Sequence, residues 1–269
     1  MAEIKTKGIV LSSFDFEENS KIVTTYTEKY GKMSFVARGV NKPESKNRYS
    51  IQNFSYSEFE IFKSRFKTSL SKLKKGILIN SNVTITNNYD NYLFASVITS
   101  LIDLPNEFNN KNYRLFTMLN KAIENISSNI DPFTTMVYFM FYLLKHLGGS
   151  WNLESCYRCK QRSKVYRRFD FKNYGLICPN CLREDEEEQN VDFLNFLRIL
   201  GTESFASIWK YSFDTSFQII LAKLVMDYLL DNLGIETNSI RILKAKKIFN
   251  DDVFNDYTHS VLTKRDFWG

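Results

Sequence analysis

The chain has 269 residues, of which 43% are hydrophobic, 15% aromatic and 25% charged. Such a composition builds ordinary globular cores and excludes a disordered chain, and the length admits one large domain or two to three small ones. The net charge is +6 and unevenly spread, because residues 1–80 hold 15 Lys/Arg against 8 Asp/Glu while the rest is nearly balanced, so a polyanionic partner is expected at the N-terminal third.

Residues 1–80 read as strands. Ile9-Val10-Leu11 is a short β run, and Lys21 to Thr27 is rich in β-branched residues. Glu28 to Gly31 makes a turn in which Gly31 can take a positive φ. From Lys32 to Val40, Met33, Phe35 and Ala37 share one face and Ser34, Val36 and Arg38 the other. Phe54 to Phe62 is a fourth strand, whose apolar positions shift from even to odd and predict a bulge near Ser57-Glu58. Lys72 to Asn80 supplies the fifth. Five short strands in this length suit a small closed barrel, of which the OB-fold is a five-stranded example and an SH3-like barrel a near competitor.

After residue 85 the apolar period becomes helical. Leu93/Phe94, Val97/Ile98 and Leu101/Ile102 form one stripe, ended by Pro105. Tyr113 to Ile126 is a second helix. A third begins with Asp131 as N-cap and Pro132 at the first helical position, and stops at Gly148-Gly149. A later stripe runs from Phe213 to Tyr228 and closes at Gly234. The expected fold class is α+β. Residues 1–80 form the barrel, residues 81–150 and 184–269 a helical domain, and residues 151–183 an inserted zinc ribbon. Met136 to Leu144, the longest strongly apolar stretch, is too short to cross a bilayer. Met1 to Lys7 opens onto an apolar run too short for a secretory leader. A cytoplasmic protein without membrane contact is expected.

Cys156-x2-Cys159 and Cys178-x2-Cys181 use every cysteine of the chain. Each pair folds as a tight knuckle aiming two sulfurs at one point, and two knuckles complete a tetrahedron suited to one Zn²⁺ per chain. Four thiolates close the coordination sphere, so the expected role is structural. The five acidic residues Glu184 to Glu188 read as a solvated connection or a first helical turn. His146 and His259 lack triad or metal spacing, and neither a Walker loop nor a dinucleotide fingerprint occurs. No enzymatic activity is expected.

Several tracts together resemble one family. They are Gly8-Ile-Val-Leu11, Phe14-Asp-Phe-Glu-Glu-Asn-Ser20, Thr27-Glu-Lys-Tyr-Gly31, Ala37-Arg-Gly39, and Phe141 to Gly149 leading directly into the cysteine module. Residues 4–183 are similar in order and spacing to the RecO recombination mediators of bacterial DNA repair. Family members often carry a double glycine before the last cysteine pair, where this chain has Tyr174-Gly175. The resemblance implies an OB-fold, a helical domain and an inserted zinc ribbon. It also implies binding of single-stranded and duplex DNA, annealing of complementary strands, and work with RecR to load RecA on strands coated by single-strand-binding protein. That work would be done in the bacterial cytoplasm, at the nucleoid.

The residues accommodate that role. Arg38, Lys42, Lys46 and Arg48 lie in or after the Ala-Arg-Gly strand, in a polar loop, and can neutralise phosphates without reading sequence. Tyr49 in the same loop can stack on a base. Two readings compete: an RNA-binding or transcription-associated protein using the same barrel and ribbon, and a zinc-stabilised adaptor whose charge is incidental.

Overall fold

The computed structural model describes residues 2–65, 70–105 and 107–263. Five strands occupy the N-terminal part: β1 (Ala2–Phe16), β2 (Ser20–Thr27), β3 (Gly31–Ala37), β4 (Tyr56–Lys63) and β5 (Ser71–Asn80). They close on themselves in the order β1-β2-β3-β5-β4, with every pairing antiparallel except the short parallel seam of β3 with β5. Closure removes the bare edges an open sheet would expose. Inside lie Val10, Val23, Phe35, Ala37, Val40, Ile51, Phe59 and Ile61. Phe35 and Phe59 meet at 5.3 Å between ring centroids. Met33, expected on this face, is half-buried at its margin.

Two details differ from the sequence reading. β3 ends at Ala37 rather than Val40, because Gly39 takes φ +66° and turns the chain, which brings Val40 back into the core and leaves Arg38 exposed. The parity shift in the fourth strand arises because Phe54, at φ +68°, precedes β4 altogether. A register irregularity does fall at Tyr56/Ser57, and a second at Glu60/Ile61, but the extra residues, Ile79 and Lys74, belong to β5. Gly31 takes φ +71° as expected, and it has a second reason to be glycine: a Cβ there would meet the Asn110 carbonyl oxygen at 2.5 Å.

Two compact units divide the chain, Met1–Met136 and Val137–Gly269. In the first, α1 (Tyr89–Ile102) and α2 (Tyr113–Ser127) are built onto the strand ring. Ser12 Oγ donates to Asp103 at 2.9 Å, the Lys32 backbone N–H donates to Phe108 O at 2.9 Å, and the Tyr56 and Phe116 rings lie 6.3 Å apart. Asn88 and Asn112 cap the two helices by accepting from the amides of Asn91 and Leu115. The division falls within α3 (Pro132–Leu143).

The second unit holds a three-stranded sheet, β6 (Asn152–Cys156), β7 (Arg168–Asp170) and β8 (Gly175–Ile177), in the order β6-β8-β7. It also holds α4 (Val191–Thr202), α5 (Thr215–Leu233), α6 (Asn238–Lys244) and α7 (Asp251–Leu262). Of the stripe from Phe213 to Tyr228, Phe217, Ile220, Leu221 and Tyr228 are buried on α5 and Leu224 is half-buried, while Phe213 precedes the helix, which Gly234 ends at φ +65°. Phe193, Phe196, Phe213 and Phe217 pack as one aromatic cluster between α4 and the start of α5. Among the described residues α4, α6 and α7 add three helices beyond the single stripe that periodicity marks.

Candidate nucleic-acid interface and metal centre

The four cysteines converge. Their sulfurs all lie within 4.8 Å of one another, and Cys159 Sγ and Cys178 Sγ are 3.8 Å apart. Bonds of about 2.3 Å from a central Zn²⁺ give a tetrahedron with edges of about 3.8 Å, whereas a disulfide needs about 2.05 Å. The knuckles form as the spacing requires. Lys160 N donates to Cys156 O at 2.8 Å, with Lys160 at φ +62°, and Cys181 N donates to Cys178 O at 3.1 Å. The Cys178 amide reaches Cys156 Sγ at 3.5 Å, a donor aimed at a thiolate.

Protonation of the cluster points the same way. Burial pushes the Cys156 thiol up, but amide donors from Cys159, Cys178 and Arg158 outweigh it and bring it down to about 6. Cys181, sharing hydrogen bonds with Cys159 and Cys178, is pushed up to about 12, and burial raises Cys178. One thiolate forms readily and its neighbours then resist. A cation at the centre supplies the charge that lets all four ionise. The donor set therefore fits a metal ion, held by Cys156, Cys159, Cys178 and Cys181.

The turn before the second knuckle answers the missing double glycine. Tyr174 itself takes the left-handed conformation, at φ +48°. Its ring stacks on Trp151 (5.0 Å, 29°) and meets Tyr228 edge-on (4.7 Å, 90°), contacts a glycine cannot make.

The acidic run Glu184 to Glu188 is neither idle nor helical. Glu186 forms a two-pronged ion pair with Arg158, which also donates to the Cys181 carbonyl. That guanidinium holds the Glu186 carboxyl down at about 2. Glu188 pairs with Arg167 at 3.1 Å, Arg162 with Glu154 at 3.4 Å, and Lys160 lies over the Tyr157 ring at 4.4 Å. Arg158, Arg162 and Arg167, three of the eight Lys/Arg between residues 151 and 183, are thus matched by nearby carboxylates.

The strand ring is different. Arg38, Lys42, Lys46 and Arg48 are all exposed, and none forms an ion pair among the described residues. The loop that carries them is a succession of turns, with Ser45 N donating to Lys42 O and Arg48 N to Ser45 O. It is pinned at its start, where Asn41 Nδ2 donates to Asp15 Oδ1 at 2.9 Å, and again towards its end. Asn47 Oδ1 accepts from the Gly76 amide of β5 at 2.9 Å, and Ile51 enters the core. Gly76 permits this approach, since a Cβ there would overlap Ser50 Oγ. With Ser50 and Ile51 buried in a short 3-10 turn, Tyr49 points outward and is 61% exposed. All five candidate residues therefore lie on one solvent-facing loop.

A second basic segment carries no recognisable motif. Residues 63–75 hold six Lys/Arg and no Asp or Glu, a denser run than the loop itself. A plain sliding charge count over the first 80 residues would have found it.

Residues 1–82 match the family model described as Recombination protein O N terminal, and residues 86–241 the model described as Recombination protein O C terminal. The chain belongs to the RecO family. A DNA repair protein RecO of Mesoplasma florum is 49% identical over 264 residues, spanning 98% of this chain and 99% of the relative. The RecO of Mycoplasma capricolum is 40% identical across 89% of this chain and 96% of its own. That of Clostridium acetobutylicum is 27% identical across 92% and 99%. As a RecO family member the chain is a DNA-repair protein of bacterial type. Among the described residues no helix is long and apolar enough to cross a membrane.

Proposed function

We propose that this RecO family member is a non-catalytic recombination mediator. It binds single- and double-stranded DNA through Arg38, Lys42, Lys46, Arg48 and Tyr49 of an OB-fold, and anneals complementary strands. With RecR it helps load RecA on strands covered by single-strand-binding protein. Its place of action is the bacterial cytoplasm, at the nucleoid. One Zn²⁺ per chain, held by the four cysteines, clasps the ribbon in a structural role.

The observation that carries this reading is the loop of exposed, unpaired cations with an outward-facing tyrosine. Four cations against the one carboxylate of Glu44 leave the loop with a net positive charge that a polyanion can meet. Phosphate contacts of that kind grip any sequence, which a mediator requires. Annealing needs the mutual repulsion of two strands to be neutralised while base edges stay free, and a stacking ring on the loop can hold bases without occupying those edges. Neither step needs a general base, a nucleophile or an activated water. Four thiolates and Zn²⁺ together carry −2 and leave no open coordination position, which suits a clasp rather than a reaction centre.

The test is an annealing assay on complementary strands coated with single-strand-binding protein, with and without RecR. Acceleration by the protein, enhanced recombinase loading with RecR, and preference for DNA over RNA at matched salt are expected. A protein that ignores oligonucleotides in dilute buffer would refute the reading.

A further inference from the structure

The ring is electrically one-sided in a way the 38–49 loop alone does not express. β3 lies between β2 and β5. On the β2 side, the β1–β2 turn presents Asp15, Glu17 and Glu18, all exposed, and the neighbouring Lys21 is tied to Asp15 at 2.9 Å. On the β5 side lie residues 63–65 and 70–75, the described parts of the acid-free segment 63–75. Within it Lys74 is engaged by Glu3 at 2.6 Å and Glu60 at 3.7 Å, and Lys63 lies over the Tyr30 ring at 4.9 Å. Arg65 and Lys75 are exposed and Lys72 is half-buried, and none of the three is in an ion pair among the described residues.

Tertiary structure brings these cations to the loop. The parallel pairing Phe35↔Ser71 and Val36↔Lys72 sets Lys72 beside the strand end from which Arg38 emerges. The Asn47 to Gly76 hydrogen bond pins the loop against β5, one residue from Lys75. Two basic segments far apart in sequence thus share the β3–β5 side, while the acidic turn borders the start of the loop on the β2 side, where Asn41 Nδ2 donates to Asp15 Oδ1 at 2.9 Å. A backbone of phosphates laid across this ring gains by following the first direction and loses by following the second.

We infer that single-stranded DNA runs from the 38–49 loop onto the β3–β5 seam, held by Arg65, Lys72 and Lys75, and leaves the ring on the side away from the β1–β2 turn. The inference rests on the DNA-binding reading above and adds to it a direction and a second set of phosphate contacts. Neutral substitution of the turn then has little effect, whereas charge reversal on β5 removes contacts outright.

The experiment measures anisotropy of a labelled oligothymidylate against the full-length protein over a salt series. Arg65→Glu with Lys75→Glu, two exposed positions, is compared with Glu17→Gln and Glu18→Gln. The β5 variant is expected to bind roughly tenfold more weakly, with a log–log salt slope less negative by about 1.4 for two lost single-strand contacts. The turn variant is expected to stay within about twofold of wild type, since screened charges off the path matter little. Thermal unfolding of each variant confirms an intact fold. A β5 variant with the wild-type affinity and slope would overturn the inference while leaving the DNA-binding reading intact, provided Arg38→Glu with Lys42→Glu weakens binding. Tightening by the turn variant as large as the loss on β5 would also overturn it, because the strand would then cross the turn. A wild-type protein that does not bind the oligonucleotide overturns both.

Discussion

Replacing Tyr174 by glycine creates the double glycine that the resemblance leads one to expect in the ribbon turn, and the structure argues that it destabilises this chain. Two terms favour or nearly neutralise the change. Relief of the left-handed conformation returns about 1–2 kcal/mol, and the extra freedom glycine brings to the unfolded chain takes back about 0.4–1 kcal/mol. Against this stand two aromatic contacts, with Trp151 at 5.0 Å and Tyr228 at 4.7 Å. Each is worth about 0.5–1.5 kcal/mol beyond area burial. The half-buried ring adds about 1 kcal/mol of hydrophobic burial, less than a fully enclosed side chain would. The balance is a loss of about 1–3 kcal/mol, a fall of very roughly 3–10 °C in Tm for a unit of this size. The Asn152 to Tyr174 backbone hydrogen bond does not involve the side chain, so metal content is expected to be unchanged. Differential scanning calorimetry with metal analysis checks both outcomes. Tyr174→Ala, which keeps the strain and loses the ring, should be less stable still. If Tyr174→Gly matches or exceeds wild-type stability, the aromatic stack does not hold this turn and the reasoning fails.

Cys156→Ser with Cys178→Ser is expected to abolish binding of the single metal ion and to lower thermal stability, because a structural metal contributes folding free energy; a metal-free variant of equal Tm would contradict a clasp. Arg38→Glu with Lys42→Glu should weaken single-strand binding and make the log–log salt slope less negative by about 1.4, the value for two lost single-strand contacts; circular dichroism should be unaltered. Lys223 is buried against Asp227 at 2.5 Å and Asp251 at 2.9 Å. Lys223→Met should cost about 1–3 kcal/mol, below the usual figure for a broken buried pair, since Asp227 keeps Lys244 and Asp251 is exposed. Burial opposes the Lys223 charge, but the two carboxylates outweigh it and hold its pKa above 10.5. The stability it contributes is therefore fully present below pH 10.5 and lost as pH rises through the folded value. The Tm gap between wild type and Lys223→Met should narrow in that alkaline range, and also in acid as Asp251, whose carboxyl Lys223 holds below its ordinary value, takes up its proton.

Much of this protein is decided by local sequence. Period-2 and helical patterning located five strands and the helices from Tyr89 to Leu143, since each apolar stripe must find a core whatever its partner. The two Cys-x2-Cys knuckles were equally legible, because the short spacing itself folds the turn that aims the sulfurs. Other features depend on residues distant in the chain. That Tyr174 can stand where glycine is usual depends on Trp151 and Tyr228. That Glu186 and Glu188 of the acidic run pair with the ribbon depends on Arg158 and Arg167 lying across from them. Most consequential is the parallel seam, which sets Lys72 beside the strand leading to Arg38 and so joins two basic segments into one side of the ring. Charge along a chain shows how much positive field a protein carries, and only closure of the sheet determines where that field is concentrated.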